Sequence, residues 1–233
     1  MKRIFIIVLL LSFRTLANDS FAVYFKDEME ASLKFLYTYN QKMDQKAHTY
    51  HHKNKFVTAI IFPELLRYNY VQDMIETSSL ELIYIEYGSQ TADFSIGHFQ
   101  MKPSFAENIE KYIEKYPASF YTYKKLMYTN KTMQKTQRKI RLERLKSLDW
   151  QLTYLHAFVA ICDHKFKFLK WNTIPDKLRF YATCYNTGFQ KKYEDILINA
   201  SKKTFPHGPN YLGNQYSYAS IACSYFLNPN TMK

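Results

Sequence analysis

The chain has 233 residues, a formal net charge of +12, 18% aromatic residues, five glycines and three cysteines. This length fits one domain, and a hydrophobic content of 47% is enough for a packed core, which excludes a wholly disordered chain. So few glycines argue against a β-sandwich or barrel with many tight turns, and three scattered cysteines exclude a disulfide scaffold and a tetrahedral zinc site. We therefore predict a mainly α fold and expect neither a metal nor a cofactor.

The beginning of the chain has the pattern of a secretory signal peptide. Lys2 and Arg3 form a basic start, and residues 4–11 are an unbroken apolar run. Thr15-Leu16-Ala17 then has small residues at the two positions that a signal peptidase recognises before its cleavage site. The apolar run is too short to span a bilayer, which takes about 20 residues. We predict that residues 1–17 are removed and that the chain is exported to the periplasm or cell envelope. The alternative is an uncleaved anchor at the membrane surface.

The next segments are predicted to be helical, and the second carries a candidate acid. Residues 21–46 repeat apolar side chains at helical spacing. In 57–64, three aliphatic residues and Glu64 share one helix face, and burial there would raise the glutamate pKa, as suits a general acid. Pro63 should bend or end this helix and so place Glu64 at a helix end that lines a cavity. The alternative is a solvated Glu64 just beyond the helix, paired with Arg67.

Five further helices are predicted downstream, and no convincing alternating strand is seen. The first follows a capping box of Ser104 and Glu107, and the second occupies the second half of a basic stretch at 124–147. The third is capped by Asp149, the fourth is opened by Pro175, and the fifth covers 216–226. The helix after Pro175 is predicted to end at an asparagine-glycine stop, Asn186-Thr187-Gly188. These segments support the mainly α prediction.

The basic stretch, residues 124–147, carries nine lysines and arginines and one acid, Glu143. Leu142, Leu145 and Leu148 recur at three-residue steps, which predicts an amphipathic helix. The stretch is either a solvated helix face or a surface that docks onto an anionic polymer or an envelope protein. Nucleic acid is not expected, because the chain is exported and has no recognisable nucleic-acid-binding motif.

Three short segments, taken in order, resemble the signatures of the soluble lytic transglycosylase domain, a member of the lysozyme-like superfamily. The first is the apolar helix that ends in Glu64. The second comprises Gly97, Gln100 and Pro103, which match a glycine, a glutamine and a proline at that family's offsets. The third is Tyr185-Asn186-Thr187-Gly188, which matches tyrosine-asparagine-x-glycine in a helical context. Each motif alone is weak, and the order of all three makes the resemblance specific.

The resemblance covers about residues 54–226 and implies a single helical domain (18–233) with a lysozyme-like fold and an active-site cleft. This domain would carry two additions. One is an N-terminal helical extension over about 18–53, and the other is the basic stretch, present as an insertion. The sequence departs from the family at Leu65, where a serine usually follows the glutamate. A long spacing after the first motif also predicts an insertion around residues 73–89.

The resemblance implies cleavage of the β-1,4 bond between N-acetylmuramic acid and N-acetylglucosamine in peptidoglycan. In that family one glutamate, here Glu64, acts first as acid and then as base, and the product is a 1,6-anhydro sugar. The implied substrate-binding positions are Gln100, Tyr185, Asn186, Gly97 and His98. Asn186 is also expected to fix the end of its helix. For His98, packing inside the protein and contact with the sugar are equally expected. The expected partner is the glycan strand, bound by a monomer.

Two other functions fit the same residues. The first is a catalytically silent lysozyme-like module that binds peptidoglycan or scaffolds an envelope machine, which Pro63 and Leu65 beside the glutamate favour. The second is a hydrolase of the goose-lysozyme type, in which Asp93 would hold a water molecule. A loop or helix-capping role for Asp93 is the stronger interpretation.

The remaining candidate residues are given structural interpretations. His51-His52 has no acidic or cysteine partner at ligand spacing, which favours a loop. In an oxidising compartment, Cys184 could form a disulfide with Cys162 or with Cys223, and the sequence does not decide between them.

Overall fold

The computed structural model describes residues 20–71, 77–129 and 132–228. The described residues form ten α-helices, one 3-10 helix and two short strands, so the prediction of a mainly α fold is confirmed. Within these ranges no helix is both long and apolar enough to cross a membrane. The predicted signal peptide, residues 1–17, lies outside the described residues.

The helices follow one another through short connections. They are α1 (Ser20–Tyr24), α2 (Lys26–Thr49), α3 (Asn54–Val71), α4 (Thr77–Tyr87), α5 (Pro103–Lys115), α6 (Gln134–Lys146), α7 (Leu148–Lys165), α8 (Ile174–Thr187), α9 (Tyr193–Ala200) and α10 (Tyr218–Leu227). The 3-10 helix covers Tyr121–Leu126. The strands β1 (Lys203–Phe205) and β2 (Tyr216–Ser217) pair antiparallel, and β2 leads directly into α10.

The predicted N-terminal helix forms as α1 and α2, which are separated at Phe25. Leu36 and Met43 lie on the buried face of α2, which packs against α3 and α7. Nζ of Lys46 binds the Asp149 carboxylate of α7 at 2.8 Å. Asp149 therefore links two helices, and the prediction that it caps α7 is wrong, because the N-cap position belongs to Ser147.

Helix α3 packs against α2, α8 and α10 and runs unbroken through Pro63. Pro63 was predicted to bend or end the helix and so to place Glu64 at a helix end. The helix does not end there, and Glu64 lies inside α3, so that position for Glu64 is wrong. Proline inside a helix costs about 3 kcal/mol, because it has no N–H to donate and its ring crowds the preceding turn. All of residues 57–66 are buried, and each large aliphatic or aromatic side chain among them contributes about 1.5–3 kcal/mol. Burial therefore outweighs the local cost.

Helix α5 begins at Pro103, and its first turn is held by a carboxylate from outside the helix. Asp93 accepts hydrogen bonds from the backbone N–H of Ser104 at 2.9 Å and from its hydroxyl at 2.7 Å. The predicted capping box is wrong, because Glu107 instead accepts from the Tyr84 hydroxyl at 2.9 Å. A carboxylate at a helix N-terminus also faces the positive end of the helix dipole, so Asp93 has the capping role.

The amphipathic helix predicted in the basic stretch forms as α6, with Leu142 and Leu145 buried, whereas Leu148, the third leucine of the pattern, is the first residue of α7. It packs against α4, which lies within the predicted insertion at 73–89. Nη1 of Arg138 donates to the carbonyls of Ile85 at 3.1 Å and Glu86 at 2.9 Å. Charged side chains therefore join the two helices.

The helices predicted after Pro175 and over 216–226 form as α8 and α10, whereas α9 and the two short strands were not predicted. Thr173 and Asp176 make a capping box at the start of α8, with Pro175 in its first turn. Gly188 follows α8 with φ +100°, a conformation that favours glycine. The three cysteines are buried free thiols, and none of them forms a disulfide.

Candidate active site

A cleft of about 370 Å³ opens beside α3. It is bounded by α3, the segment 95–102, the start of α5 and the end of α8. Four of the predicted site residues line it: Glu64, Gln100, Tyr185 and Asn186. The other described residues that line it are Arg67, Ser95, Met101, Lys102, Ser104, Phe105, Asn108, Thr187, Gly188 and Gln190. The three segments singled out in the sequence therefore meet in one place.

Glu64 forms part of the inner wall of the cleft, with 3% of its surface exposed. Nη1 of Arg67 donates a hydrogen bond to its Oε2 at 3.0 Å. Burial raises the pKa of Glu64, and this rise is opposed chiefly by Arg67, and also by the nearby Tyr218 hydroxyl and the charge of Lys102. Burial is the largest influence, so the pKa stays above its ordinary value. The solvated alternative for Glu64 is wrong, although the pairing with Arg67 is confirmed.

Arg67 is fixed from a second side by the connection between β1 and β2. Its Nε and Nη2 donate to the carbonyl oxygen of Pro206 at 3.2 and 3.1 Å. Its guanidinium carbon lies 5.5 Å from the centre of the Phe205 ring. Because Nε and Nη2 are both bonded to one carbonyl oxygen, the guanidinium has little freedom to turn. Its third nitrogen, Nη1, therefore points at the Glu64 carboxylate.

Two buried tyrosines lie close to Glu64 and hold neighbouring segments together. The hydroxyl of Tyr185 donates to the carbonyl of Phe99 at 2.8 Å, and that of Tyr218 donates to the carbonyl of Ile60 at 3.0 Å. Burial and the nearby Glu64 charge raise the pKa of both phenols well above 10. Both therefore remain neutral hydrogen-bond donors at physiological pH.

The segment 96–101 is a tight loop that presents Gln100 to the cleft. Two backbone hydrogen bonds, of 3.0 and 3.1 Å, join Ile96 to Met101 and close the loop. Gln100 has φ +48°, and its side-chain amide donates to the carbonyl of Gly97 at 3.0 Å. The closure of the loop therefore holds Gln100 in a positive-φ conformation that is unusual for a residue other than glycine.

Buried Gln151 of α7 supports this loop from behind. Its Oε1 accepts from the backbone N–H of Phe99 at 3.2 Å, and its Nε2 donates to the carbonyl of Ile96 at 3.0 Å. Gly97 has φ +66°, and a Cβ there would lie 1.8 Å from Nε2 of Gln151. Gly97 was predicted to bind substrate, but it does not line the cleft and instead allows the loop to approach α7.

His98 also lies away from the cleft lining. Its ring stacks on Phe35 of α2, with the ring centres 4.5 Å apart, and lies 4.5 Å from the ring of Tyr68 in α3. Burial lowers the pKa of His98, which favours a neutral ring between two aromatic neighbours. Of the two roles open to this residue, packing is therefore the observed one. The predicted loop at His51-His52 is confirmed.

Several polar residues in the cleft were not predicted as site residues. Asn108 lies one turn after Ser104 on α5, and Gln190 follows the turn at Gly188. Lys102 has a side chain that is 53% exposed, and its Nζ lies 4.0 Å from the Asp93 carboxylate. The sequence carries one signal that could have predicted Asn108 as a site residue. It lies four residues after Ser104, and residues four apart share a helix face. The cleft thus offers amides and two cations, Arg67 and Lys102, around a single acid.

The chemistry of the cleft depends on Glu64, the one carboxylic acid among the described residues that line it. In the described part of the chain, no group of three or more histidine, cysteine, aspartate or glutamate side chains is placed to hold a metal ion. Such an acid can donate a proton to a bound oxygen and take one back. Comparison of the chain with protein-family models, curated proteins and solved structures gives no match.

Proposed function

We propose that the protein is an exported peptidoglycan lytic transglycosylase with a lysozyme-like fold. The observation that carries the proposal is the position of Glu64, a buried acid on an apolar helix that faces a polar cleft. Gln100 and Tyr185, from the other two motifs that resemble this family, line the same cleft. A buried acid with a raised pKa is suited to protonate the oxygen of a glycosidic bond.

The first step is protonation of the bond to be cleaved. Glu64, as the neutral acid, gives its proton to the oxygen between N-acetylmuramic acid and N-acetylglucosamine, and the C1–O bond breaks. The N-acetylglucosamine side leaves as an alcohol, and positive charge develops at C1. As the proton leaves, the carboxylate that forms is stabilised by the Arg67 guanidinium at 3.0 Å.

The second step needs no water and no second carboxylate. Glu64, now a carboxylate, takes the proton of the C6 hydroxyl of the muramoyl ring, and the C6 oxygen bonds to C1. The product is a 1,6-anhydro ring, and Glu64 is again protonated for the next cycle. A single acid therefore suffices, unlike the carboxylate pair of most glycosidases.

The other cleft residues bind the sugar chain. The side-chain amides of Gln100 and Asn186 can each donate to and accept from hydroxyl and acetamido groups. Tyr185 holds the 95–102 segment against α8 through its bond to Phe99, and so fixes the width of the cleft next to Glu64. The hydrolase alternative has little support, because both carboxylate oxygens of Asp93 are bonded by Ser104.

A catalytically silent glycan-binding module is the second candidate. It is favoured by one observation, the ion pair of Arg67 with a Glu64 that is almost completely buried. An arginine that keeps the glutamate ionised would prevent it from acting as an acid. The two candidates differ in cleavage and not in binding.

The test is cell-wall digestion by the purified mature protein and its Glu64→Gln variant. We expect the wild type to clear peptidoglycan in a zymogram and the variant to lose activity by at least about 10²-fold, since general acid catalysis contributes about 10²–10⁴-fold. Glu143→Gln is the matched control, because Glu143 is an exposed acid on α6. Mass spectrometry of the released fragments should show anhydro ends.

Each outcome separates the candidates. Reducing ends in place of anhydro ends would support the hydrolase. Peptidoglycan that is bound equally by wild type and Glu64→Gln, without any cleavage, would support the silent module and overturn the proposal.

A further inference from the structure

A second cavity, larger than the cleft, lies between α4, α5 and α6, and we call it the α4–α6 cavity. Its volume is about 770 Å³, within the usual range for small-molecule sites. Its walls include the turn at 87–90 after α4, the segment 127–129 and the face of α6 that carries Arg138 and Arg141. The two segments without a counterpart in the resembling family, α4 and the basic stretch, therefore build it together.

The floor of the α4–α6 cavity is held rigid by charged contacts. Arg141 of α6 binds the carboxylate of Glu110 of α5 with its Nε, at 3.0 Å, and with its Nη2. Tyr128 and Tyr154 donate to the same carboxylate, at 3.1 and 2.5 Å. Glu107 accepts from Ser89 at 2.6 Å. These bonds occupy both carboxylate oxygens of Glu110, so this residue fixes the shape of the floor and does not itself bind a ligand.

The lining chemistry matches an uncharged, hydroxyl-rich ligand. The charged lining residues balance in sign, with Glu107, Glu110 and Glu114 against Lys111, Arg138 and Arg141. The remainder is mostly amides and hydroxyls, including Gln90, Gln134 and Gln137, which both donate and accept hydrogen bonds. A balanced charge gives no preference for a polyanion, and so polar a lining does not suit a lipid. Tyr87, which is 66% exposed at the rim, offers a ring face of the kind on which sugars stack.

The cavity and the cleft use neighbouring faces of the same helix. Ser104, Phe105 and Asn108 of α5 line the cleft, whereas Glu107 and Lys111 line the cavity. We propose that the α4–α6 cavity is a second, non-cleaving binding site for an N-acetylhexosamine chain, a choice of sugar that rests on the proposed function.

Methionine methyl signals can locate the bound sugar, because one methionine lines each site. Met127 lines the cavity and Met101 lines the cleft. We would label the methionine methyl groups with ¹³C in the Glu64→Gln protein, assign the two signals with Met→Leu variants, and titrate a tetramer of N-acetylglucosamine. Both signals should move. Gln90→Trp, which fills the cavity from an exposed position, should weaken the Met127 response at least about tenfold and leave the Met101 response unchanged.

The control is Gln41→Trp, on the exposed side of α2, which should change neither response. A Met127 signal that stays fixed while Met101 saturates, or a failure of both signals to move, would overturn the second site. A Met127 signal that moves while Met101 does not would support the cavity and count against the proposed function. A Met127 response that Gln90→Trp leaves intact would also contradict the proposal, since the sugar would then be bound elsewhere.

Discussion

At the scale of single residues, Glu64 is subject to two opposing influences. Burial stabilises its neutral form, and Arg67 stabilises its ionised form, from a distance of 3.0 Å. The double anchor of Arg67 on Pro206 keeps the guanidinium close throughout the reaction. In the proposed cycle Glu64 must be neutral before the first step and ionised before the second. A partial balance between the two influences suits both requirements.

Removing the charge of Arg67 should therefore change the pH dependence of the proposed activity. In Arg67→Gln the strongest of the influences that lower the Glu64 pKa is lost, so the neutral acid persists to higher pH. The alkaline fall in kcat/KM should then move to higher pH, and the rate relative to wild type should rise across that limb, about tenfold for each pH unit of movement. The measurement is a pH profile on soluble glycan fragments.

Two variants serve as controls for this shift. Arg67→Lys keeps the positive charge and should largely keep the wild-type profile. Lys102→Met should shift the limb in the same direction but less, because the charge of Lys102 is the smallest of the influences on Glu64. Added salt should cancel the Lys102 effect, since that side chain is half exposed, and spare the Arg67 effect. A profile unchanged in Arg67→Gln would contradict this role.

The sequence predicted the centre of the site better than its edge. Helical spacing placed Glu64 on an apolar face, because that relation is local to one helix. The pair with Arg67 was expected only for a Glu64 beyond the helix, and it forms inside α3 because the two residues lie three positions apart. Lys102, Asn108 and Gln190 are ordinary polar residues whose position in the cleft depends on how α5 and α8 pack, which no local pattern records. The same limit explains His98, whose aromatic neighbours come from two other helices.

At the scale of elements, the loop 96–101 depends on contacts from outside itself. Its hydrogen bonds to Gln151 connect it to α7, and Gly97 allows the approach. The sequence singled out Gly97 and Gln100 of this loop but not its support, since Gln151 is distant in the chain. The capping role expected for Asp93 is confirmed, but the capping box of Ser104 and Glu107 was wrong, because Asp93 lies outside the spacing of such a box and binds Ser104 instead.

Gly97→Ala should destabilise the protein by about 1–3 kcal/mol, because the new Cβ would overlap the Gln151 amide in addition to the strain at φ +66°. Gly208→Ala is a matched control, since Gly208 has φ +91° and its added Cβ would meet nothing within 4 Å. Urea unfolding of both variants gives the difference. Equal losses in the two variants would show that the close approach to Gln151 does not matter.

At the scale of the whole molecule, the basic stretch has a structural role that counting charges could not reveal. Lys135 pairs with Glu86 and Lys146 with Glu81, at 2.5 and 2.9 Å, which ties α6 to α4. Nη1 of Arg144 donates to the carbonyl of Leu126 at 2.8 Å. Much of the charge predicted to be a solvated face or a docking surface is thus used inside the molecule. A net charge records how many cations a segment has and not which way they face.

Arg141 is the most buried of these cations, and its removal tests how far the assembly of α4, α5, α6 and α7 depends on it. It is 6% exposed and binds Glu110, which is 5% exposed. Taking away one partner leaves a buried charge without compensation, so Arg141→Met should cost about 3–5 kcal/mol. Adding Glu110→Leu removes that charge and should restore part of the loss.

Lys139→Met, an exposed change on the same helix, should stay within about 0.5 kcal/mol of wild type. Chemical unfolding of the four proteins measures the free energies. If Arg141→Met were no less stable than Lys139→Met, the buried pair would not hold the helices together. If the double variant were less stable than Arg141→Met, the tyrosines bonded to Glu110 would contribute more than the ion pair, because their hydroxyls would then be buried without an acceptor.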